Sequence, residues 1–291
     1  MLTLAIPFHS NPSLLRLTLA SVERQTSQAW EVVVCDDSLE GEALSVVEEL
    51  NCPRITWIRN PNSRGITHNW NFALGQVKTE LFSLLHADDE LEPEYVKEMI
   101  SLAERFPDAD LYYCRTTVID QNGKKTFSFP DYVKTWIEGS VTTPRRWEGE
   151  EAAVKLLQGN FIFCPTIIYR QSKLRNVFDE RFSQVMDLNH LFEVLEGGGQ
   201  IVSSPDRLYR YRRHSSNLTA QKTNDHSRFR EEISLYLEWK DRFRKNGWLR
   251  AEKTAREMRI LKLHLLYQML QDCLSLKLDP LEEKLSLLRS I

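Results

Sequence analysis

The chain has 291 residues with 38 Lys and Arg against 41 Asp and Glu, for a formal net charge of -3. This length accommodates one large or two smaller units with a sizeable core, and the balanced charge excludes a global attraction to nucleic acid. Five scattered cysteines, no run of about 18 apolar residues and no basic leader predict a cytoplasmic protein without a transmembrane segment.

Short apolar runs alternate with helical patterns through the first 120 residues, which is typical of βαβ units and a parallel sheet. Asn11 is placed to cap a helix that starts at Pro12, Gly65 opens a helix that runs to Leu74, and another begins near Pro93. Strands are predicted at 2–8, 31–35, 55–58, 81–86 and 111–119. The fold class is therefore α/β.

The second half has a weaker pattern. Residues 124–150 are aromatic and interrupted by Pro and Gly, which predicts either a mobile flap or a loop fixed by its aromatic side chains. Helices are predicted at 150–157 and 187–195, strands at 166–169, 200–203 and 208–211, and helices again from 224 onward. That last segment has three open outcomes: packing on the rest of the chain, forming a homodimer, or lying on an anionic membrane surface.

Acidic pairs follow two of the predicted strands, Asp36-Asp37 after the second and Asp88-Asp89 after the fourth. The carboxyl ends of parallel strands meet at one edge of a sheet, where such folds bind ligands. Carboxylate oxygens suit Mg²⁺ or Mn²⁺ bound together with substrate phosphates. The plainer interpretation of the second pair is that it ends a strand and caps the following helix.

Five short motifs follow one another in order through the first 90 residues: LAIPFH at 4–9, LASVERQT at 19–26, VVVCDDS at 32–38, NSRGITHN at 62–69 and HADD at 86–89. Together they resemble the nucleotide-binding half of family 2 glycosyltransferases. The resemblance implies the A-type glycosyltransferase fold, with a Rossmann-like, mostly parallel sheet flanked by helices. It also implies a catalytic domain at 1–223, with a nucleotide-binding half at 1–120 and an acceptor half at 121–223, followed by a helical extension at 224–291.

The resemblance further implies a site for a nucleotide-sugar, with a UDP-sugar favoured. In it, Asp37 together with Asp36 accepts hydrogen bonds from the base, Asp88 holds the ribose, and Asp88 and Asp89 hold Mn²⁺ or Mg²⁺. The family pattern has Asp where this chain has His86, and Arg where it has His68, a change for which Arg64 compensates. The other implied donor-binding residues are Pro7, Phe8, His9, Gly65 and Asn69.

Two later stretches resemble the acceptor side of the same family: FDERF at 178–182 with MDLNHL at 186–191, and YRYRRHSSN at 209–217. Asp187 would be the general base, His214 would complete the metal shell, and Arg212 or Arg213 would contact the leaving diphosphate. The alternatives are an Asp187 that merely stabilises a helix start and a solvated His214 in a turn.

The resemblance therefore implies an inverting, metal-dependent glycosyltransferase. It would transfer a sugar to the hydroxyl of a saccharide or lipid-linked saccharide during polysaccharide assembly, in the cytoplasm or at the inner face of the membrane. The alternative is a non-catalytic nucleotide-sugar-binding protein of the same fold. A nucleotidyltransferase is disfavoured because the segment after the first strand, FHSNP at 8–12, has neither Gly nor Lys to hold a triphosphate.

Overall fold

A computed structural model of the protein describes residues 1–62, 64–214, 222, 225–274 and 279–291. The predicted domain boundary at 223–224 and the end of the 209–217 motif lie outside these residues. Within them, one sheet has the order β3-β2-β1-β4-β8-β6-β9-β5, with β7 pairing at β9. The strands are β1 Leu2–Phe8, β2 Trp30–Asp36, β3 Ile55–Arg59, β4 Leu81–Leu84, β5 Glu90–Leu91, β6 Leu111–Ile119, β7 Arg145–Glu148, β8 Ile167–Arg170 and β9 Gln200–Arg212.

Helices cover both faces of this sheet. They are α1 Pro12–Glu23, α2 Ala43–Leu50, α3 Ile66–Leu74, α4 Tyr95–Arg105, α5 Phe129–Glu138, α6 Gly149–Leu157, α7 Met186–Glu196, α8 Ser227–Lys245, α9 Leu249–Glu257, α10 Arg259–Leu274 and α11 Asp279–Ser290. The predicted cap of α1 is present, because Asn11 Oδ1 accepts a hydrogen bond from the backbone N–H of Leu14 at 3.1 Å.

The first four strands have the parallel order expected from the βαβ pattern. β1 lies between β2 and β4 and is parallel to both, and β3 is parallel to β2. All residues of β1 except Pro7 are buried, as expected for a strand covered on both faces. The carboxyl ends of β1, β2 and β4 therefore lie at the same edge of the sheet.

The other half of the sheet is mixed rather than mostly parallel. β8 is antiparallel to its neighbours β4 and β6, whereas β6 and β9 are parallel. The two strands predicted at 200–203 and 208–211 form the single strand β9, because an irregularity in register near Arg115 absorbs the intervening residues. This long strand carries its last residues, Tyr211 and Arg212, to the edge where β4 ends.

Residues 124–150, predicted to be a mobile flap or a loop fixed by its aromatic side chains, contain regular secondary structure. Pro130 in its first turn starts α5, and Gly139 with φ 82° ends it. Ile137 and Trp147 pack into the core, whereas Phe127 and Trp136 have exposed fractions of 72% and 76%. The aromatic side chains thus divide between the core and the solvent, and the pattern is a helix followed by a strand.

The C-terminal helices extend the core on one face of the sheet. Phe192 of α7 contacts Trp239 and Phe243 of α8, with ring centroids 5.2 and 5.4 Å apart. Leu261 and Leu265 of α10 are buried too, while its outer face leaves exposed side chains at Leu263, Leu266, Leu270 and Leu274. Packing is therefore the observed outcome for α8, and dimerisation and membrane contact stay predictions. Among the helices described, none has the length and apolar character needed to cross a bilayer.

Candidate active site

A cavity of about 1170 Å³ lies over the edge where β1, β2 and β4 end. Its lining includes Asp37 from the end of β2, Asp88 from the segment after β4, and Asp187 from the first turn of α7. This is the position at which a parallel sheet with diverging connections binds ligands. The structure thus brings together three carboxylates that are separated by up to 150 residues in sequence.

The nucleotide side of the cavity is built on the ends of β1 and β2. Asp37, with a side chain only 3% exposed, has its Oδ1 2.9 Å from His9 Nδ1. Asn69 Nδ2 donates to the backbone carbonyls of Phe8 at 3.3 Å and Cys35 at 3.1 Å, which joins the two strand ends. Pro7, His9, Gly65 and Asn69, which the resemblance assigned to donor binding, line the same cavity.

Asp36 and Phe8 require a correction. Asp36 is fully buried, and its carboxylate accepts hydrogen bonds from the backbone N–H groups of Ser38 and Ala43 and from Trp57 Nε1. It therefore anchors the start of α2 and lies outside the cavity lining formed by the described residues. The Phe8 ring is fully buried in the core on one face of the sheet, so this residue contributes backbone only.

Arg64 and His68 lie outside the cavity lining formed by the described residues. Arg64 is exposed, and His68 is half-buried, with a buried Nδ1 that has no hydrogen-bond partner within the described part of the chain. The compensation of His68 by Arg64 predicted from the sequence thus has no support in this arrangement.

A possible metal site lies at the end of β4. Ligand atoms of His86, Asp88 and Asp89 lie within 4.8 Å of one another, and Asp88 Oδ2 is 2.9 Å from His214 Nε2. His86 Nε2 is buried and lacks a hydrogen-bond partner among the described atoms. One imidazole and two carboxylates form a donor set suited to Mn²⁺. The residue that departs from the family pattern, His86, is thus placed to be a ligand.

The pKa values of this cluster have identifiable causes. Burial lowers the pKa of His86, which favours the neutral imidazole that binds metals. Burial and the charge of Asp88 raise the pKa of Asp89. Burial opposes ionisation of Asp88 too, but the hydrogen bond from His214 and the nearby imidazoles hold the pKa of Asp88 below its ordinary value.

Arg212 also requires a correction, because its side chain is 1% exposed and lies outside the cavity lining of the described residues. Its Nε donates to the carbonyl of Asp88 at 2.8 Å, its Nη1 donates to the carbonyls of Asp120 and Gln121, and its Nη2 pairs with Glu90. Arg212 therefore ties the metal-site segment to the turn at 120–121. In this arrangement the Arg212 side chain does not face the cavity proposed for the donor.

The neighbouring Arg213 lines the cavity in its place. Its Nε and Nη2 donate to the two carboxylate oxygens of Asp131 at 3.0 and 2.7 Å. Side chains alternate across a strand end, so a shift of one residue decides which arginine faces the ligand. Of the two arginines considered from the sequence, Arg213 is the one at the site.

Asp187 lies deep in the cavity beside α5 and α6. Asn160 Nδ2 donates to its Oδ2 at 3.3 Å, and no side chain caps α7 at its N-cap residue Val185. Burial raises the pKa of Asp187, although the charges of Lys134 and Arg228 partly offset this. A half-buried carboxylate that lines a cavity and has a raised pKa is a candidate general base.

Lys134 and Arg228 line the same cavity, but the sequence did not predict them as site residues. Lys134 lies in the stretch predicted to be a flap or a loop. Arg228 lies in the segment predicted to be a helical extension. The helical spacing of Val133 and Ile137 is a signal that could have placed Lys134 on a helix next to the core.

Comparisons with known proteins agree with this geometry. The sequence profile described as glycosyl transferase family 2 matches residues 3–178. A putative colanic acid biosynthesis glycosyl transferase of Escherichia coli K12, WcaA, is 26% identical over 75% of this chain and 82% of its own. An uncharacterized protein of Mycobacterium tuberculosis, Rv1520, is 23% identical over 72% of this chain, which spans only 57% of that relative.

Among solved structures, S. aureus TarS 1-349 in complex with UDP-GlcNAc is similar with a TM-score of 0.61 and 17% identity. The match covers 81% of this chain and 66% of TarS 1-349. At this identity the likeness establishes the fold, which is the A-type glycosyltransferase fold that the sequence motifs implied. Since the family profile covers more than half of the residues, the chain belongs to glycosyl transferase family 2.

Proposed function

We propose that the chain is an inverting glycosyltransferase that moves a sugar from a UDP-sugar to a hydroxyl group. The observation that carries this proposal is the presence of Asp37, Asp88 and Asp187 in the lining of one cavity of about 1170 Å³. Asp37 would accept a hydrogen bond from the uracil ring N–H, and Asp88 would hold the ribose. Binding in this cavity would limit the access of water to the donor during transfer.

In the proposed reaction the acceptor oxygen attacks C1 of the sugar from the side opposite the diphosphate. The new C–O bond forms as the bond from C1 to the diphosphate oxygen breaks, and UDP leaves with the electron pair. Asp187 takes the proton of the acceptor hydroxyl. Its position in the first turn of α7 stabilises the ionised form that a base requires.

The test of this proposal is a panel of UDP-, GDP- and dTDP-sugars. A bound ligand raises the free energy of unfolding by RT ln(1 + [L]/Kd). We therefore expect the UDP-sugars to give the largest rise in melting temperature. Asp37→Asn should weaken that rise, and Asp108→Asn, which changes an exposed carboxylate, should not. Donor hydrolysis is measured in parallel, and binding without any turnover would favour a non-catalytic nucleotide-sugar-binding protein.

Metal dependence is part of the proposal. His86, Asp88 and Asp89 would hold Mn²⁺ or Mg²⁺, with His214 supporting or joining them. When bound, such an ion supplies positive charge that offsets the charge of the leaving diphosphate. The mixed nitrogen and oxygen donors favour Mn²⁺ over Mg²⁺.

We expect Asp88→Asn to remove most of the binding of Mn²⁺. Replacing a direct ligand should lower the affinity for Mn²⁺ by more than about 10- to 100-fold, which is the range typical of replacing a residue that only orients a ligand. Binding of Mn²⁺ is followed by electron paramagnetic resonance, which requires no turnover. Asp108→Asn serves as the matched control, and equal affinities in Asp88→Asn and the unaltered chain would contradict the assignment.

The proposed acceptor is a saccharide or lipid-linked saccharide. Two relatives carry names that refer to polysaccharides, the WcaA protein and the succinoglycan biosynthesis protein ExoW of Rhizobium meliloti, which is 31% identical over 40% of this chain. Exposed aromatic side chains at the rim of the cavity, such as Phe129 and its neighbour Tyr132, fit contact with a membrane surface. The five free cysteines fit a cytoplasmic location.

A further inference from the structure

Lys134 of α5 lines the same cavity as Asp187. Within the described ranges, no hydrogen bond or ion pair joins its Nζ to another residue, and its main contact is the Phe163 ring, whose centroid is 4.2 Å away. Burial lowers the pKa of Lys134 to about 8, so the amine is still largely charged at neutral pH. An ammonium group in this position is costly unless an anion accompanies it.

Arg228 of α8 presents further donors to the same space. Its Nε donates to Glu232 Oε1 at 2.9 Å, while its two terminal nitrogens have no acceptor among the residues that the structure describes. Both cations line this cavity, and the positive charge of Arg228 also helps to lower the pKa of Lys134. Their mutual repulsion would be relieved by an anion bound between them.

The nearby carboxylates already have other contacts. Asp131 is engaged by both Nε and Nη2 of Arg213, and Glu232 accepts from Arg228. Asp187 accepts from Asn160 and is the proposed base, which must stay available to the acceptor hydroxyl. The charge of Lys134 is therefore the one in this cluster that a ligand would best satisfy.

We propose that Lys134 and Arg228 form a phosphate-binding subsite on the acceptor side of the cavity. This inference rests on the proposed function and adds to it that the acceptor carries a phosphate group close to the hydroxyl that is glycosylated. A phosphate offers several oxygens, which the point charge of a lysine and the fork of an arginine bind together. The subsite lies on α5 and α8, whereas the proposed donor and metal residues lie at the ends of β1, β2 and β4.

The test measures the binding of inorganic phosphate by calorimetry, first to the chain alone and then to the chain saturated with UDP and Mn²⁺. We expect phosphate to bind in both cases, because the donor and acceptor subsites are separate. Lys134→Met and Arg228→Gln should each lower the affinity for phosphate about 10- to 100-fold, which is the loss expected when a hydrogen bond to a charged group is removed. Lys134→Arg should retain most of the affinity.

Lys253→Met is the matched control, because Lys253 is exposed on α9 outside the cavity lining. Unchanged phosphate affinity in Lys134→Met would overturn the subsite, as would the absence of phosphate binding to the unaltered chain. Arg228→Gln decides the question if Lys134→Met does not fold. Loss of phosphate binding once UDP and Mn²⁺ are present would instead assign both cations to the donor diphosphate.

The two proposals fail in different ways. Binding of UDP without binding of phosphate removes the subsite and leaves the proposed function in place. Binding of phosphate without binding of any UDP-sugar contradicts the proposed function and leaves an anion site at Lys134 and Arg228.

Discussion

Asp187→Asn is expected to lower the rate of sugar transfer by about 10²- to 10⁴-fold, the range typical of losing a general base. The amide has nearly the same shape as the carboxylate and can keep the contact with Asn160, but it cannot accept a proton from the acceptor hydroxyl. The measurement is the turnover number with a saturating UDP-sugar. UDP binding, followed by melting temperature, should not change, because the donor residues lie on other elements.

The pH profile gives a second readout of the same role. Burial raises the pKa of Asp187, so the unaltered enzyme should lose activity on the acid side at a higher pH than an ordinary Asp would dictate. The charges of Lys134 and Arg228 limit that rise. Asp187→Asn should lack this acid limb, and Asp108→Asn should keep both rate and limb. A rate within a few fold of normal in Asp187→Asn would reject the assignment.

Much of the fold of residues 1–120 could be predicted from the sequence. The strand at 111–119 and the helix that begins at Pro12 have the predicted positions, because continuous apolar runs and a helix cap are local signals. The interior of β9 could not be predicted, since Pro205 and Asp206 have the composition of a turn. Their place within a strand depends on the partner β6, which is distant in sequence.

The site was predictable at the level of motifs but not of individual side chains. Asp37 and Asp36 are adjacent in sequence, yet one lines the cavity and the other anchors α2. Likewise, Arg213 lines the cavity, whereas Arg212 is buried beside it. His86, which stands where the family pattern has Asp, has a ring nitrogen close to the carboxylates of Asp88 and Asp89. Strand register and the hydrogen bonds that nearby backbone groups require decide which of two adjacent side chains faces the cavity. A short sequence motif contains neither kind of information.

The buried position of Arg212 gives the second large prediction, which concerns stability rather than binding. The Arg212 side chain is 1% exposed, and four of its contacts are to the carbonyls of Asp88, Asp120 and Gln121 and to the carboxylate of Glu90. Removing one partner of a buried ion pair typically costs about 3–5 kcal/mol, because the remaining charge stays uncompensated. Among the residues that the structure describes, Glu90 would then keep the longer contact with Arg210, at 3.6 Å.

We therefore expect Arg212→Met to lower the free energy of unfolding by about 3–5 kcal/mol, measured by urea denaturation. Arg146→Met, which changes an exposed arginine of β7, should lower it by less than about 1 kcal/mol. If Arg212 instead bound the leaving diphosphate, Arg212→Met would weaken the binding of UDP and leave the free energy of unfolding nearly unaltered. The two measurements on one variant thus separate a residue that holds the metal-site segment in place from one that contacts the donor.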